Sequence, residues 1–307
     1  MKIAIIGSGM AGLACAARLA GAGLAPTVFD KGRGIGGRMA TRRADGGLQF
    51  DHGAQVIPGD SDGFRALLDA AGAAGHMAEW DMGEGTSVAV GTPGMTALAK
   101  YVAQGLDLQQ GTEITALTQT VEGWDLAADN ALGTFDRVIC TAPAPQTAKL
   151  AGHALTDPLG AVTYAPSLTL MVALHSALDA PVTQTDPTDA LAWIAHDSAK
   201  PGRATQNCWV AQASADWSIA HLELSKDEIA ARMLDLFLTH HGLDATDVAY
   251  VAAHRWRYAL VDTPLGQPFV TSADKTLYAG GDWCLGPRVE HAWQSGTAIA
   301  DDILSAA

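Results

Sequence analysis

The sequence predicts an α/β protein in which a Rossmann-like dinucleotide-binding domain is interleaved with a mostly antiparallel α+β domain. Three observations predict it. The chain opens with an apolar strand, the turn Gly7-x-Gly9-x-x-Gly12 and an alanine-rich helix. A second glycine pair, Gly280-Gly281, followed by Asp282, precedes another helix near the C-terminus. Between them, Leu168 to Val261 carries strand-like runs of a different texture, with one strongly helical segment.

Lys2–Ile6 reads as a short buried strand, and Ala11–Ala22 as the helix after the glycine turn. In this context Gly7 permits the tight turn, Gly9 lets backbone approach a diphosphate, and Gly12 lets helix and strand pack closely. The helix N-terminus, with Met10 and Ala11, offers free N–H groups to phosphates. Thr27–Phe29 is a second strand, and Asp30 at its end stands where a carboxylate reaches a ribose 2′-OH. A glycine-rich loop follows instead of a helix, and it carries Lys31, Arg33, Arg38, Arg42 and Arg43 back toward the nucleotide. These are five of only 19 basic residues, so they mark a candidate anion site.

Further along, the spacing predicts helices over Ser61–Ala71 and Thr92–Gln104, the latter with Thr92 as N-cap and Pro93 at its first position. Glu113–Gln119 and Trp124–Ala128 read as a hairpin, and Phe135–Thr141 as a strand that stops at Pro143 before a helix. Strands are predicted over Ser167–Leu174, Leu191–His196, Gln206–Ala213 and Ala249–Val261. Ser225 and Glu228 form a capping box for a helix over Ser225–His240. Asp179–Asp189, rich in Pro, Thr and Asp, reads as a surface loop. The last helix begins near Val289 or Glu290. The predicted division is a discontinuous nucleotide domain of residues 1–60, 92–150 and 270–307, and a substrate domain of residues 61–91 and 151–269.

Composition narrows the function. The formal net charge is -14, from 19 Lys+Arg against 33 Asp+Glu, which opposes binding to nucleic acid or an anionic membrane. Four dispersed cysteines without C-x-x-C spacing fit neither a zinc site nor a disulfide framework, and the histidines lack ligand spacing, so no metal is expected. No basic segment precedes an apolar stretch, and glycines interrupt the first apolar region, so a cytoplasmic monomer or homodimer is expected.

The segments FDKGRGIGGRMATRR, FDHGAQ and GGDWCLGPRVEHAWQSG, together with GSGMAG, resemble the flavin amine oxidase superfamily, and in combination its bacterial renalase-like branch. The resemblance implies non-covalent FAD and a p-hydroxybenzoate hydroxylase-like fold. It implies that Gly37, Arg38 and Arg42 lie near the diphosphate and Ile114 near the adenine. It also implies that Gly281, Asp282, Val289 and Glu290 meet the diphosphate, ribitol and flavin edge. His52 and Gln55 are implied beside the isoalloxazine, although by themselves they also read as ordinary turn residues. His291 stands where relatives often carry glycine, and there it narrows the flavin-side wall or adds a proton carrier.

The renalase-like resemblance implies oxidation of 2-dihydro- and 6-dihydro-NAD(P). Hydride passes to flavin N5, and O2 then takes two electrons to give NAD(P)+ and hydrogen peroxide. Re-aromatisation drives such chemistry, so the protein supplies stacking and orientation rather than a nucleophile. The candidates for that role are His52, Gln55, Trp193, Trp209, His291 and Trp293, although most tryptophans of such a chain are core residues. Arg42, Arg255, Arg257 and Arg288 are candidate phosphate partners. The alternatives are oxidation of a primary amine or polyamine, for which Lys275 is an unconvincing flavin lysine, and a non-catalytic nucleotide-binding protein.

Overall fold

A computed structural model describes residues 1–83, 85–152, 155, 159–186, 188–204 and 206–306. Two sheets organise the chain. The first has six strands in the order Val270–Thr271, Leu277–Ala279, Arg137–Cys140, Ile3–Ile6, Thr27–Asp30, Asp107–Gln110. All pair in parallel except the Val270–Thr271 edge. Both faces are covered, which is why the central strands read as unbroken apolar runs. On one face Ile3, Ile5, Val28, Ile139 and Tyr278 pack against helix α1 (Met10–Gly21) and the C-terminal helix Val289–Ser305. On the other, Ala4, Ile6, Phe29, Val138 and Cys140 meet Trp124, Leu126 and Phe135 of a three-stranded antiparallel sheet.

Helix α2 (Asp62–Ala73) begins after Ser61 as expected, and it packs against an unforeseen hairpin, Met77–Asp81 with Ser87–Gly91. Helix α3 spans Thr96–Val102 and does not start at Thr92. The chain bends from Thr92 to Gly94, and the carboxylate of Asp51 accepts the Met95 N–H at 3.0 Å, fixing the later start. Helix α4 (Ala144–Ala151) follows Pro143, with the missing proline N–H costing nothing at a helix start.

The second sheet is antiparallel, in the order Thr183–Thr185, Leu191–His196, Asn207–Ala213, Thr163–Leu174, Val248–Thr263. Its first strand lies inside the segment expected to be a surface loop. Alternation divides its residues between two faces. Leu168, Leu170, Val172, Trp209, Ala211 and Ala253 form one face, against Ile229, Met233 and Phe237. Those three belong to a helix over Lys226–His241, which follows the short helix α5 (Ala215–Ala220) and is labelled α6. Its predicted capping box is present, with Ser225 Oγ accepting from Glu228 N. Met171, Ala173, Cys208 and Val210 form the other face, packed on Phe50. This second face, continued by Thr169, Gln212, His254 and Trp256, looks toward the parallel-sheet half. The C-terminal helix Val289–Ser305 is α7. Among the described residues, no helix is long and apolar enough to cross a membrane.

Candidate active site

The turn before α1 is shaped by close backbone contact. Gly7 has φ +111°, and a Cβ on Gly12 would lie 2.0 Å from Gly7 O. A Cβ on Gly9 would meet nothing within 4 Å, so the backbone there borders open space. No side chain caps α1, and its first turn has no acidic residue, which leaves the N–H groups around Met10 and Ala11 available to an anion. The second glycine loop returns to the first: Gly36 N donates to Ser8 O at 2.8 Å, and Gly37 lies over Gly9. The carboxylate of Asp30 accepts from Ser8 N (2.6 Å), Ser8 Oγ (2.7 Å) and Gly32 N (2.7 Å). A carboxylate has about four acceptor positions, so one is left for a ribose hydroxyl. Ile114 is buried beside Phe29, and Lys31 lies 4.0 Å from Glu113 at the surface.

Three distant segments complete this cradle. Arg38 donates to Asp282 Oδ1 at 2.5 Å and to Ala259 O at 3.0 Å. Gly281 N donates to Ser295 Oγ on α7 at 2.9 Å. No side chain caps α7, and Val289 opens it. The carboxylate of Glu290 is turned away, accepting from Asp60 N (2.9 Å) and Ser61 N (2.7 Å). Burial pushes this carboxyl up, but the bonds from Ser61 and Asp60 outweigh it and hold it below the usual range. What Glu290 offers a ligand is therefore its backbone. A dinucleotide suits these donors: two helix starts carry no side-chain cap, and an arginine is paired with the aspartate that follows Gly281.

Beside the cradle stands an aromatic wall. His52 is 7% exposed, lies nearly parallel to Trp256 at 5.4 Å and meets His254 edge-on at 4.8 Å. Trp256 Nε1 donates to His52 O at 2.7 Å, tying the wall to the antiparallel sheet. Burial lowers both imidazoles from an ordinary 6.5 to about 4. They are therefore neutral near pH 7. As pH falls, the unfolded chain takes up their protons first, so the stability they contribute is complete above about 6.5 and is lost toward about 4. The fall in Tm between about pH 7 and pH 5 is expected to be smaller in His254→Phe than in the wild type. Parallel slopes in thermal unfolding would show that His254 is not held neutral.

Behind His52 lies a buried ionic cluster that the sequence reading did not single out. Lys200, its side chain fully buried, donates to Asp197 Oδ1 (2.7 Å) and Gln55 Oε1 (3.0 Å), and lies 3.6 Å from Asp51 Oδ2. Arg203 also bonds Asp51. Asp51 N in turn donates to Asp197 Oδ2 at 3.0 Å. Burial pushes Asp51 up, but Lys200 and Arg203 prevail and hold it below its usual range. Burial and the Asp51 charge raise Asp197. Gln55 also donates to Asp51 O and Gly53 O, so it acts as a strut of its own loop. The spacing Asp197-x-x-Lys200-x-x-Arg203 directly after an apolar strand was the available signal.

The six predicted substrate or flavin neighbours are not brought together. His52 and Gln55 share one loop, and Trp193 lies on the same sheet face as its strand partner Gln212. Trp209 is a correction: it is 0% exposed and points to the opposite face, between His196 and Phe237 under α6. His291 packs on the Gly286 backbone, and Trp293 packs on Phe64 and Gly63 of α2. Three candidate phosphate partners are spent elsewhere, Arg255 on Leu222 O, Arg257 on Glu223 and Arg288 on Asp60. Among the described residues no ion pair engages Arg42. Lys275 pairs with Asp302 at the surface. Cys284 is buried among Val138, Ala279 and Trp283, and burial pushes its thiol up to about 12. No group of metal-ligating side chains occurs among the described residues.

Comparison with known proteins agrees with this geometry. Residues 5–71 match the NAD(P)-binding Rossmann-like domain family, and residues 76–304 match the flavin containing amine oxidoreductase family. A curated relative, 4,4'-diapophytoene desaturase (4,4'-diaponeurosporene-forming) of Staphylococcus aureus (strain Newman), is 47% identical over 57 residues. That alignment covers 19% of this chain and only 11% of the relative. Among solved structures, cyclohexylamine oxidase from Brevibacterium oxydans IH-35A superposes with TM-score 0.75 at 12% identity, covering 99% of each chain. Putrescine oxidase bound to putrescine superposes with TM-score 0.72 at 14% identity, also covering 99% of each chain. At such identities these two likenesses carry the fold alone, whereas the family match spans most of the sequence. The chain belongs to the flavin containing amine oxidoreductases.

Proposed function

We propose that this protein is a renalase-like oxidase of isomeric dihydronicotinamide dinucleotides, 2-dihydro- and 6-dihydro-NAD(P), with FAD held non-covalently. The observation that carries the reading is the neutral wall of His52, His254 and Trp256, which suits a flat uncharged ring. Of the four candidate phosphate partners, Arg42, on the strand paired with that of Phe50, is the one that makes no ion pair or side-chain hydrogen bond among the described residues, and it is assigned to the dinucleotide phosphates. Bound FAD supplies a two-electron acceptor that takes hydride and returns the electrons to O2 as hydrogen peroxide. The chain itself holds the ring, keeps the Asp51–Gln55 loop rigid and presents no nucleophile. On this reading the nucleotide domain is residues 1–60, 92–150 and 270–307, and the substrate domain is residues 61–91 and 151–269.

The family description and the putrescine and cyclohexylamine oxidase folds favour an amine instead. A protonated amine requires a free carboxylate or a means of losing its proton. Among the described residues, the buried carboxylates Asp51, Asp197, Asp282 and Glu290 all have partners within the protein. Anaerobic mixing followed by flavin absorbance separates the readings. Bleaching by the 2-dihydro isomer, reversed by O2, is expected, with no response to putrescine or 4-dihydro-NAD(P)H. Bleaching by putrescine alone would replace the proposal with amine oxidation.

Arg38→Ala removes a charge-assisted bond between the first and last segments. Such bonds contribute about 1.5–3 kcal/mol, so the Kd for FAD is expected to rise by about tenfold to a hundredfold in fluorescence titration of apoprotein. An unchanged Kd would remove Arg38 from the cradle.

A further inference from the structure

The strands Thr163–Leu174 and Val248–Thr263 pair with a bulge where they approach the cradle. Ala165 pairs with Leu260 and Ser167 with Trp256, so Pro166 alone stands opposite Arg257, Tyr258 and Ala259. Proline has no N–H for the ladder, and bulges of this kind re-aim groups beside functional sites. This bulge does so twice. The Ala259 carbonyl accepts from Arg38 at 3.0 Å, and the Tyr258 ring meets Tyr164 edge-on at 5.3 Å.

Tyr164 is half-buried, and its Oη accepts the Ala144 N–H at 2.9 Å. That bond sets the phenol on the loop after the strand Arg137–Cys140, and this loop touches the glycine turn. Thr141 Oγ1 contacts Ile6 O at 3.0 Å and Gly7 O at 3.1 Å. The residue after Asp282 holds the same loop from the other side, as Trp283 Nε1 donates to Ala142 O at 3.1 Å. Burial pushes the Tyr164 phenol above its ordinary range, against the Ala144 bond, and the charges of Asp282 and Arg38 both reach it. The phenol is therefore protonated near pH 7. A phenol both accepts and donates, yet among the described residues the Tyr164 O–H donates to no protein acceptor. An unused donor thus stands among the Arg38–Asp282 pair, the glycine-turn loop and the bulge.

We propose that Tyr164 is a further cofactor-binding residue, its phenol O–H donating to the diphosphate of FAD. The α1 start and Arg38 hold the diphosphate from the parallel-sheet half, and Tyr164 holds it from the antiparallel sheet, so the cofactor ties the two halves together. The assignment is independent of which substrate is oxidised.

The test is fluorescence titration of apoprotein with FAD, together with phosphorus NMR of the loaded protein. Tyr164→Phe removes the O–H and keeps the ring against Tyr258. Its Kd for FAD is expected to rise about tenfold, the low end for a hydrogen bond to a charged group. The diphosphate resonances of bound FAD are expected to shift while the visible flavin spectrum stays unchanged, because the contact is not to the ring. Tyr258→Ala leaves the O–H in place but removes the ring that orients it, and it is expected to raise Kd by about threefold. An unchanged Kd in Tyr164→Phe, or a raised Kd with unmoved diphosphate resonances, would overturn the assignment. If Tyr164→Phe does not fold, Tyr258→Ala decides: unchanged affinity and an unchanged phosphorus spectrum overturn it equally.

Discussion

Replacing Lys200 by methionine is expected to destabilise the protein by about 3–5 kcal/mol at pH 7, the usual cost of breaking a buried pair by removing one partner. The wild-type cluster sets two carboxylates, Asp51 and Asp197, against two cations, Lys200 and Arg203. Without Lys200, Arg203 still neutralises Asp51, but Asp197 is left charged, fully buried and beside a second carboxylate. Its pKa, already raised by burial, rises further. A carboxyl raised above its unfolded value binds protons more readily in the folded state, so the variant's deficit grows as pH increases through that window. Urea unfolding is expected to show a smaller difference from wild type at about pH 5 than at about pH 8. Adding Asp197→Asn to the variant recovers part of the loss, because it removes the orphaned charge. A Lys200→Met protein as stable as wild type at both pH values would mean that the cluster is not dry.

The second large effect is expected from Gly296→Ala. Gly296 lies within α7 where that helix crosses α1, and a Cβ there would stand 2.0 Å from Ala11 O and 2.8 Å from Ala11 C. These are backbone atoms, so no rotamer relieves the contact and the helices must separate. Overpacking of this kind costs about 1–3 kcal/mol, and the helix start facing the glycine turn shifts as well. The variant is expected to purify with substoichiometric flavin, read from the ratio of visible to ultraviolet absorbance. Gly21→Ala is the control. It lies in the last turn of α1, its Cβ would meet nothing within 4 Å, and helix propensity predicts unchanged or slightly higher stability. Full flavin occupancy in Gly296→Ala would show that the two helices can part without disturbing the cradle.

The parts of the site that were legible in the sequence are those made by local backbone geometry. Gly7, Gly9, Gly12 and Asp30 are separated by fixed short spacings because one strand, one turn and one helix place them. The pairing of Arg38 with Asp282 spans 244 residues, so only a family resemblance placed the two at one ligand. The capping box at Ser225 was readable for the same local reason as the glycine turn. Trp209 shows the limit. Its strand was correctly located, but parity alone does not say whether odd or even residues face the helix, and a one-residue change of parity moves every side chain to the other face. Lys200 and Gln55 stand 145 residues apart in sequence, with no periodicity to link them.

The seam between α1 and α7 bears on biosynthesis. The glycine turn of α1 is synthesised well before the helix that packs against it and the Leu277–Ala279 strand beside Arg137–Cys140. A nascent chain can order its early strands while it is still being made, yet the cradle stays half built until α7 has followed. Closing this seam is thus a late, long-range step of folding, and the glycine turn gains its full set of neighbours only then.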